Sequence, residues 1–129
     1  MIAVDSSVWI AFLRSADRRI VVHLRALLDA DEIVLPAPVR VELLAGSSRR
    51  DHPTLERVLS ALPILYPHRE TWRRMDRWVA TAVAAGERFG FADLLIASLA
   101  ADAQAAVWTL DRGFDRMARL RLITTHTPG

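Results

Sequence analysis

Four carboxylates stand out in this 129-residue chain because of what surrounds them: Asp5, Glu42, Asp93 and Asp111. Asp5 directly follows the apolar run "IAV", and Asp111 directly follows "AVWTL". Glu42 and Asp93 sit inside the helical patterns "VRVELLA" and "FADLLIASLAADA". At about 100° per residue, Leu94, Leu95, Ile96, Ala97, Leu99 and Ala100 surround the helix axis and leave Asp93 no polar stripe to share. A buried, ionised carboxylate is costly unless a donor, a cation or a metal compensates it, and no basic residue lies within a turn of Asp93. Acids gathered in one place raise each other's pKa values. A hard divalent cation such as Mg²⁺ or Mn²⁺, which prefers oxygen ligands, removes that repulsion. Each acid also has a local explanation. Asp5, Asp93 and Asp111 could cap the helices they precede or open, and Glu42 could lie on a solvated edge. Asp115 projects from the same helical face as Asp111, where an ion pair with Arg112 or Arg119 accounts for it equally well.

The elements that would position these acids can be read along the chain. "IAV" predicts a short buried strand, after which Ser6 and Ser7 offer capping chemistry and Val8, Trp9, Phe12 and Leu13 recur at helical spacing. A second helix is expected from about Arg18 to Asp29. "EIVLP" predicts a strand stopped by proline, and Pro38 and Gly46 bracket the helix that carries Glu42. A helix from about Pro53 to Ala61 follows, then a short extended piece in "LPILYP". A long helix is expected from about Arg69 to Ala85, with Trp72, Met75, Trp78, Val79 and Val83 on one broad face and Gly86 at its end. "FADLLIASLAADA" predicts a helix, "AVWTL" a strand, "RGFDRMARL" a helix and "RLITT" a final strand. Strands alternating with helices require a mainly parallel sheet between helical layers, a three-layer α/β/α sandwich. In such sheets the functional crevice lies beyond the carboxyl ends of the strands, which is where Asp5 and Asp111 fall.

Composition narrows the function classes. The chain has no cysteine, so disulfide frameworks and thiolate metal sites are excluded, in keeping with a reducing cytoplasm. The start, "MIAVDSSVWIAFLR", has no basic leader before its apolar run, and no apolar run approaches the roughly 18 residues of a membrane span. The expectation is a soluble protein of one domain, residues 1–129. All 17 basic residues are arginine and the net charge is only +2, so charge distribution matters more than the total. The four histidines, His23, His52, His68 and His126, are scattered and read as surface or capping residues, and the four tryptophans as packing.

The pieces "VDSSVWI", "VRVELLAG", "GFADLLIAS" and "TLDRGFDRM" together resemble the PIN-domain family, specifically its VapC-type toxins, and the resemblance spans essentially the whole chain. It implies that Asp5, Glu42, Asp93 and Asp111 form an acidic quartet around one or two Mg²⁺ or Mn²⁺ ions. Asp115 would be an auxiliary acid, and Ser7 and Thr109 polar supports. It also implies RNA cleavage, a PIN-like sheet sandwiched by helices, and as partners an RNA substrate, a second copy of the chain and a small antitoxin. Metal-assisted phosphodiester hydrolysis suits such acids, because the ion activates water and neutralises phosphate oxygens. Arg49, Arg50, Arg73 and Arg74 are candidates for binding phosphate. Two rival functions remain at this point. A binding module with a vestigial acidic site would keep the acids without the activity. An aspartyl-phosphate phosphatase wants a second aspartate where this chain has Ser7, and a lysine that the chain lacks.

Overall fold

The computed structural model describes residues 1–128. Its order is β1 (Ile2–Val4), α1 (Ser6–Leu13), α2 (Arg18–Asp29), β2 (Ile33–Pro36), α3 (Ala37–Ala45), α4 (His52–Ser60), β3 (Ile64–Leu65), α5 (Arg69–Ala84), α6 (Phe91–Asp102), β4 (Ala106–Trp108) and α7 (Gly113–Arg119). All pairings are parallel and the strand order is β3-β2-β1-β4. The chain therefore builds outward from β1 in one direction, then returns to place β4 on the other side of β1. The connections leaving β1 and β4 run in opposite directions along the sheet, which makes this pair of strand ends the topological switch point, the place where such folds commonly put their functional crevice.

Local chemistry explains the boundaries around that crevice. Asp5 is the N-cap of α1 and its side chain accepts from Ser7 N, so the cap is the aspartate rather than Ser6 or Ser7. Pro36 is the N-cap of α3 and Pro38 lies in its first turn, where a missing N–H costs nothing. Gly90 is the N-cap of α6 and puts Asp93 in the first helical turn, which removes the expectation that Asp93 itself caps. α6 is buried at every position from Leu94 to Ala100, as an all-round apolar helix must be.

Three expectations are corrected here. The broad apolar face of α5 splits: Met75 is buried, while Trp72, Val79 and Val83 are exposed at 43%, 45% and 72%. The last strand over "RLITT" shrinks to one parallel bridge, Val107 to Thr125, because β4 itself is only three residues long and offers little more to pair with. His23 and His126 are not isolated surface residues. Their Nε2 atoms are 2.8 Å apart, their rings stack, and both meet the buried Trp108 edge-on. Burial, then His23, pushes the His126 pKa down, which keeps the pair able to share one hydrogen bond. His68 does cap, at the N-terminus of α5.

No helix among the described residues is long and apolar enough to cross a membrane.

Candidate metal centre

The register Val4 to Trp108 places Asp5, one residue beyond β1, level with Thr109, one residue beyond β4. Asp5 N continues the ladder to Trp108 O at 2.9 Å, so the two strand ends meet. Asp5 is 5% exposed, and its Oδ2 accepts from Ser7 Oγ at 2.7 Å and from Thr109 Oγ1 at 2.9 Å. Each hydroxyl then accepts a backbone N–H from the turn after β4: Leu110 N to Ser7 Oγ at 3.0 Å and Asp111 N to Thr109 Oγ1 at 2.9 Å. Ser7 and Thr109 thus stitch the Asp111 loop to Asp5. A hydroxyl has one proton, and both are committed to Oδ2. Asp5 Oδ1 makes no hydrogen bond among the described residues. Thr109→Val keeps the shape and removes both bonds. It is expected to cost about 1 kcal/mol, or about 4 °C in melting temperature, in thermal denaturation. Thr109→Ser should melt like the parent.

Asp111 turns its Oδ1 back to accept from Gly113 N at 2.9 Å, which locks the turn that starts α7. The N-cap of α7 is Arg112, without a side-chain cap bond, so Asp111 closes a turn ahead of the helix rather than capping it. Glu42, on α3, accepts from Ser6 Oγ at 3.3 Å. Burial raises the Glu42 pKa, the Ser6 hydrogen bond opposes that rise, and Asp5 adds to it. Glu42 is nonetheless exposed overall, as a solvated edge requires.

Asp93 ties the group together. Its pKa is raised first by burial, then by Asp111, Asp5 and Glu42 in turn. Asp111, Asp5 and Glu42 thus all act on Asp93, and none of the four has an ion-pair partner among the described residues. They repel without closing on a point: no three His, Cys, Asp or Glu side chains among the described residues stand at ion-holding distance. The donor set itself suits a hard divalent cation, since it offers only oxygens, an unengaged Asp5 Oδ1 and a shared negative field. Asp115 lies outside this group. It is exposed, is not among the acids that raise the Asp93 pKa, and pairs with neither Arg112 nor Arg119 among the described residues.

Arg74 is a further correction. It does not wait for phosphate, because its Nη1 donates to Asp102 Oδ1 at 2.6 Å, Ser98 O at 2.9 Å and Ser98 Oγ at 3.1 Å. Asp102 also accepts from Thr71 Oγ1, which in turn bonds His68. This network clamps α5 to α6, the helix that carries Asp93. Sequence reasoning passed over Asp102, although an acid in the last turn of a helix opposes the macrodipole and signals a cationic partner. Arg49, Arg50 and Arg73 are exposed.

With this geometry in place, the family model described as PIN domain matches residues 2–120. The chain belongs to the PIN-domain family. Ribonuclease VapC11 of Mycobacterium tuberculosis and a VapC ribonuclease of Mycobacterium bovis are each 33% identical to this PIN protein over 125 residues, 93% of either chain. Among solved structures, VapBC2 from Rickettsia felis, bound to a DNA fragment from its promoter, matches the PIN fold with a TM-score of 0.80 at 20% identity over 98% of both chains. FitAcB from Neisseria gonorrhoeae matches with a TM-score of 0.78 at 22% identity, over 99% of this chain and 98% of its own. At those identities the likeness to solved structures is one of fold.

Proposed function

We infer that this PIN-domain protein is an endoribonuclease and the toxin of a toxin–antitoxin pair. It would act as one domain over residues 1–129, hydrolysing RNA phosphodiester bonds in the crevice between β1 and β4. The observation that carries the reading is the field at Asp93: three other carboxylates act on it, and no protein cation answers them. The VapC ribonucleases at 33% identity support the choice of substrate.

Asp5, Glu42, Asp93 and Asp111 are the residues that would hold Mg²⁺ or Mn²⁺. When bound, such an ion lowers the pKa of a coordinated water and neutralises the non-bridging phosphate oxygens. The protein's own contribution is positional. Ser7 and Thr109 hold Asp5 Oδ2, so Oδ1 is presented in one orientation. Glu42 and Asp93, whose proton affinities burial raises, are the acids suited to accept a proton from an attacking water at Oε or Oδ. Asp115 stands outside the quartet as an auxiliary acid at most. Single-stranded or loop RNA is the fitting substrate, since the edges of A-form duplexes are poorly accessible to side chains.

A small cognate antitoxin and a second copy of the chain are the proposed protein partners, with the cytoplasm as the compartment. Trp72, Val79 and Val83 on α5, with Phe91 stacked on Trp72 at 6.1 Å, form an exposed apolar stripe suited to a second copy.

The test is to incubate the purified chain with total cellular RNA and map new ends. Discrete ends are expected with Mg²⁺ or Mn²⁺ and none in EDTA. Undiminished cleavage in EDTA would exclude the metal. No cleavage with any divalent ion would favour the rival, a binding module with a vestigial acidic site.

A further inference from the structure

The acidic crevice repels the polyanion it is inferred to cut, so substrate approach needs a cation at its rim. Arg116, on α7, stands there. A Cβ on Gly113 would lie 3.3 Å from Asp111 Oδ1 and 3.8 Å from Arg116 Nη2, so the carboxylate and the guanidinium edge share one side of the α7 turn. On its other side, Arg116 Nη1 donates to Glu87 Oε2 at 3.0 Å, and Cζ lies 5.5 Å from the Phe89 ring centroid.

Both of those partners belong to the loop between α5 and α6, and its backbone is firmly held. Gly86 takes a left-handed φ of 72°, with Glu87 N bonded to Ala82 O at 2.8 Å and Gly86 N to Val83 O at 3.1 Å. That pair of bonds is a Schellman motif, in which glycine carries the reversed turn without a Cβ penalty. Glu87 is thus presented to Arg116 by rigid backbone. The Arg116 side chain nevertheless remains 42% exposed, and its Nη2 makes no hydrogen bond among the described residues. A guanidinium held on one edge and open on the other is arranged to receive an anion. Its planar fork suits phosphate.

We propose that Arg116 is a substrate-binding residue, whose free Nη2 edge receives an RNA phosphate flanking the acidic crevice while Glu87 and Phe89 hold the guanidinium in place. The proposal rests on the ribonuclease reading and adds to it a contact made by the protein itself, independent of metal.

The test is equilibrium binding of a fluorescent single-stranded RNA oligomer of mixed sequence to the full chain in EDTA, over a series of salt concentrations. Arg116→Gln is expected to weaken binding about tenfold and to reduce the slope of log affinity against log salt by about 0.7, one phosphate contact on a single strand. Arg116→Lys should retain the slope. Glu87→Gln, which keeps an acceptor for Nη1 and removes only the neighbouring negative charge, should bind at least as tightly as the wild type. Unchanged affinity and slope in Arg116→Gln would overturn the assignment. So would a Glu87→Gln variant that weakens binding as Arg116→Gln does, because the pair would then be only a structural latch. A wild-type protein that binds no RNA in EDTA overturns Arg116's metal-independent role alone, and so does a salt-sensitive wild type indifferent to Arg116→Gln. The ribonuclease reading falls separately, if the wild type cleaves no RNA in Mg²⁺ or Mn²⁺.

Discussion

Asp93→Asn lowers the rate of RNA cleavage by at least about 10²-fold, more than the 10–100-fold typical of losing a supporting group around a metal, and at the same time stabilises the metal-free protein. The two effects share one cause. Asp93 sits in the first turn of a buried helix, where burial and then Asp111, Asp5 and Glu42 raise its pKa above the ordinary 3.8. With the folded value raised, the native state binds a proton more readily than the unfolded chain between 3.8 and the raised value. Stability therefore falls as pH rises through that window, and the loss is complete above the raised value. Asparagine keeps the shape and removes the charge. Solvent screening of this half-exposed group keeps the gain small, about 0.5 kcal/mol, or about 2 °C. Thermal melts in EDTA at pH 7, beside cleavage assays in Mg²⁺, check both halves. A variant that cleaves like the wild type would remove Asp93 from the site. A variant that loses activity but melts lower would mean that the carboxylate is a structural group, satisfied in the native state.

Asp102→Ala is expected to be strongly destabilising although it lies away from the crevice, at about 3 kcal/mol, a fall of about 12 °C in melting temperature. Arg74 and Asp102 side chains are only 17% and 15% exposed. Deleting the acid strands a mostly buried guanidinium and removes the acceptor of Thr71, which is itself fully buried. An uncompensated buried charge costs far more than the pair contributes when intact. Consequently the double variant Arg74→Met, Asp102→Leu should recover most of the loss. A single-variant cost below about 1 kcal/mol would place the pair with ordinary surface ion pairs.

The acids and the elements carrying them were legible before any coordinates. Helical spacing, the punctuation by Pro38, Gly46 and Gly86, and the strand-then-aspartate pattern at Asp5 and Asp111 are local signals, set by backbone sterics and periodicity within a turn or two. The same locality made Asp93's lack of a basic neighbour a usable clue. Where burial depended on distant partners, local reading went astray. The face of α5 looked uniformly apolar, yet only Met75 of its five residues is deeply buried, because the sequence does not say which side of a helix meets the sheet. Arg74 looked like a free cation, since its partner Asp102 lies 28 residues away.

What local residue order specified was an inventory: four carboxylates, each delivered by a particular strand end or helix, in a parallel α/β layout. The assembly of that inventory came from long-range packing. Strand order β3-β2-β1-β4 sets β4 beside β1, and the Val4–Trp108 register brings Thr109 within 2.9 Å of Asp5 across 104 residues of chain. Neither is encoded in any short window, because strand pairing is chosen by which apolar faces bury together. That choice set Asp5, the cap of α1, beside the turn that carries Asp111, and left Asp5 Oδ1 without a hydrogen bond among the described residues.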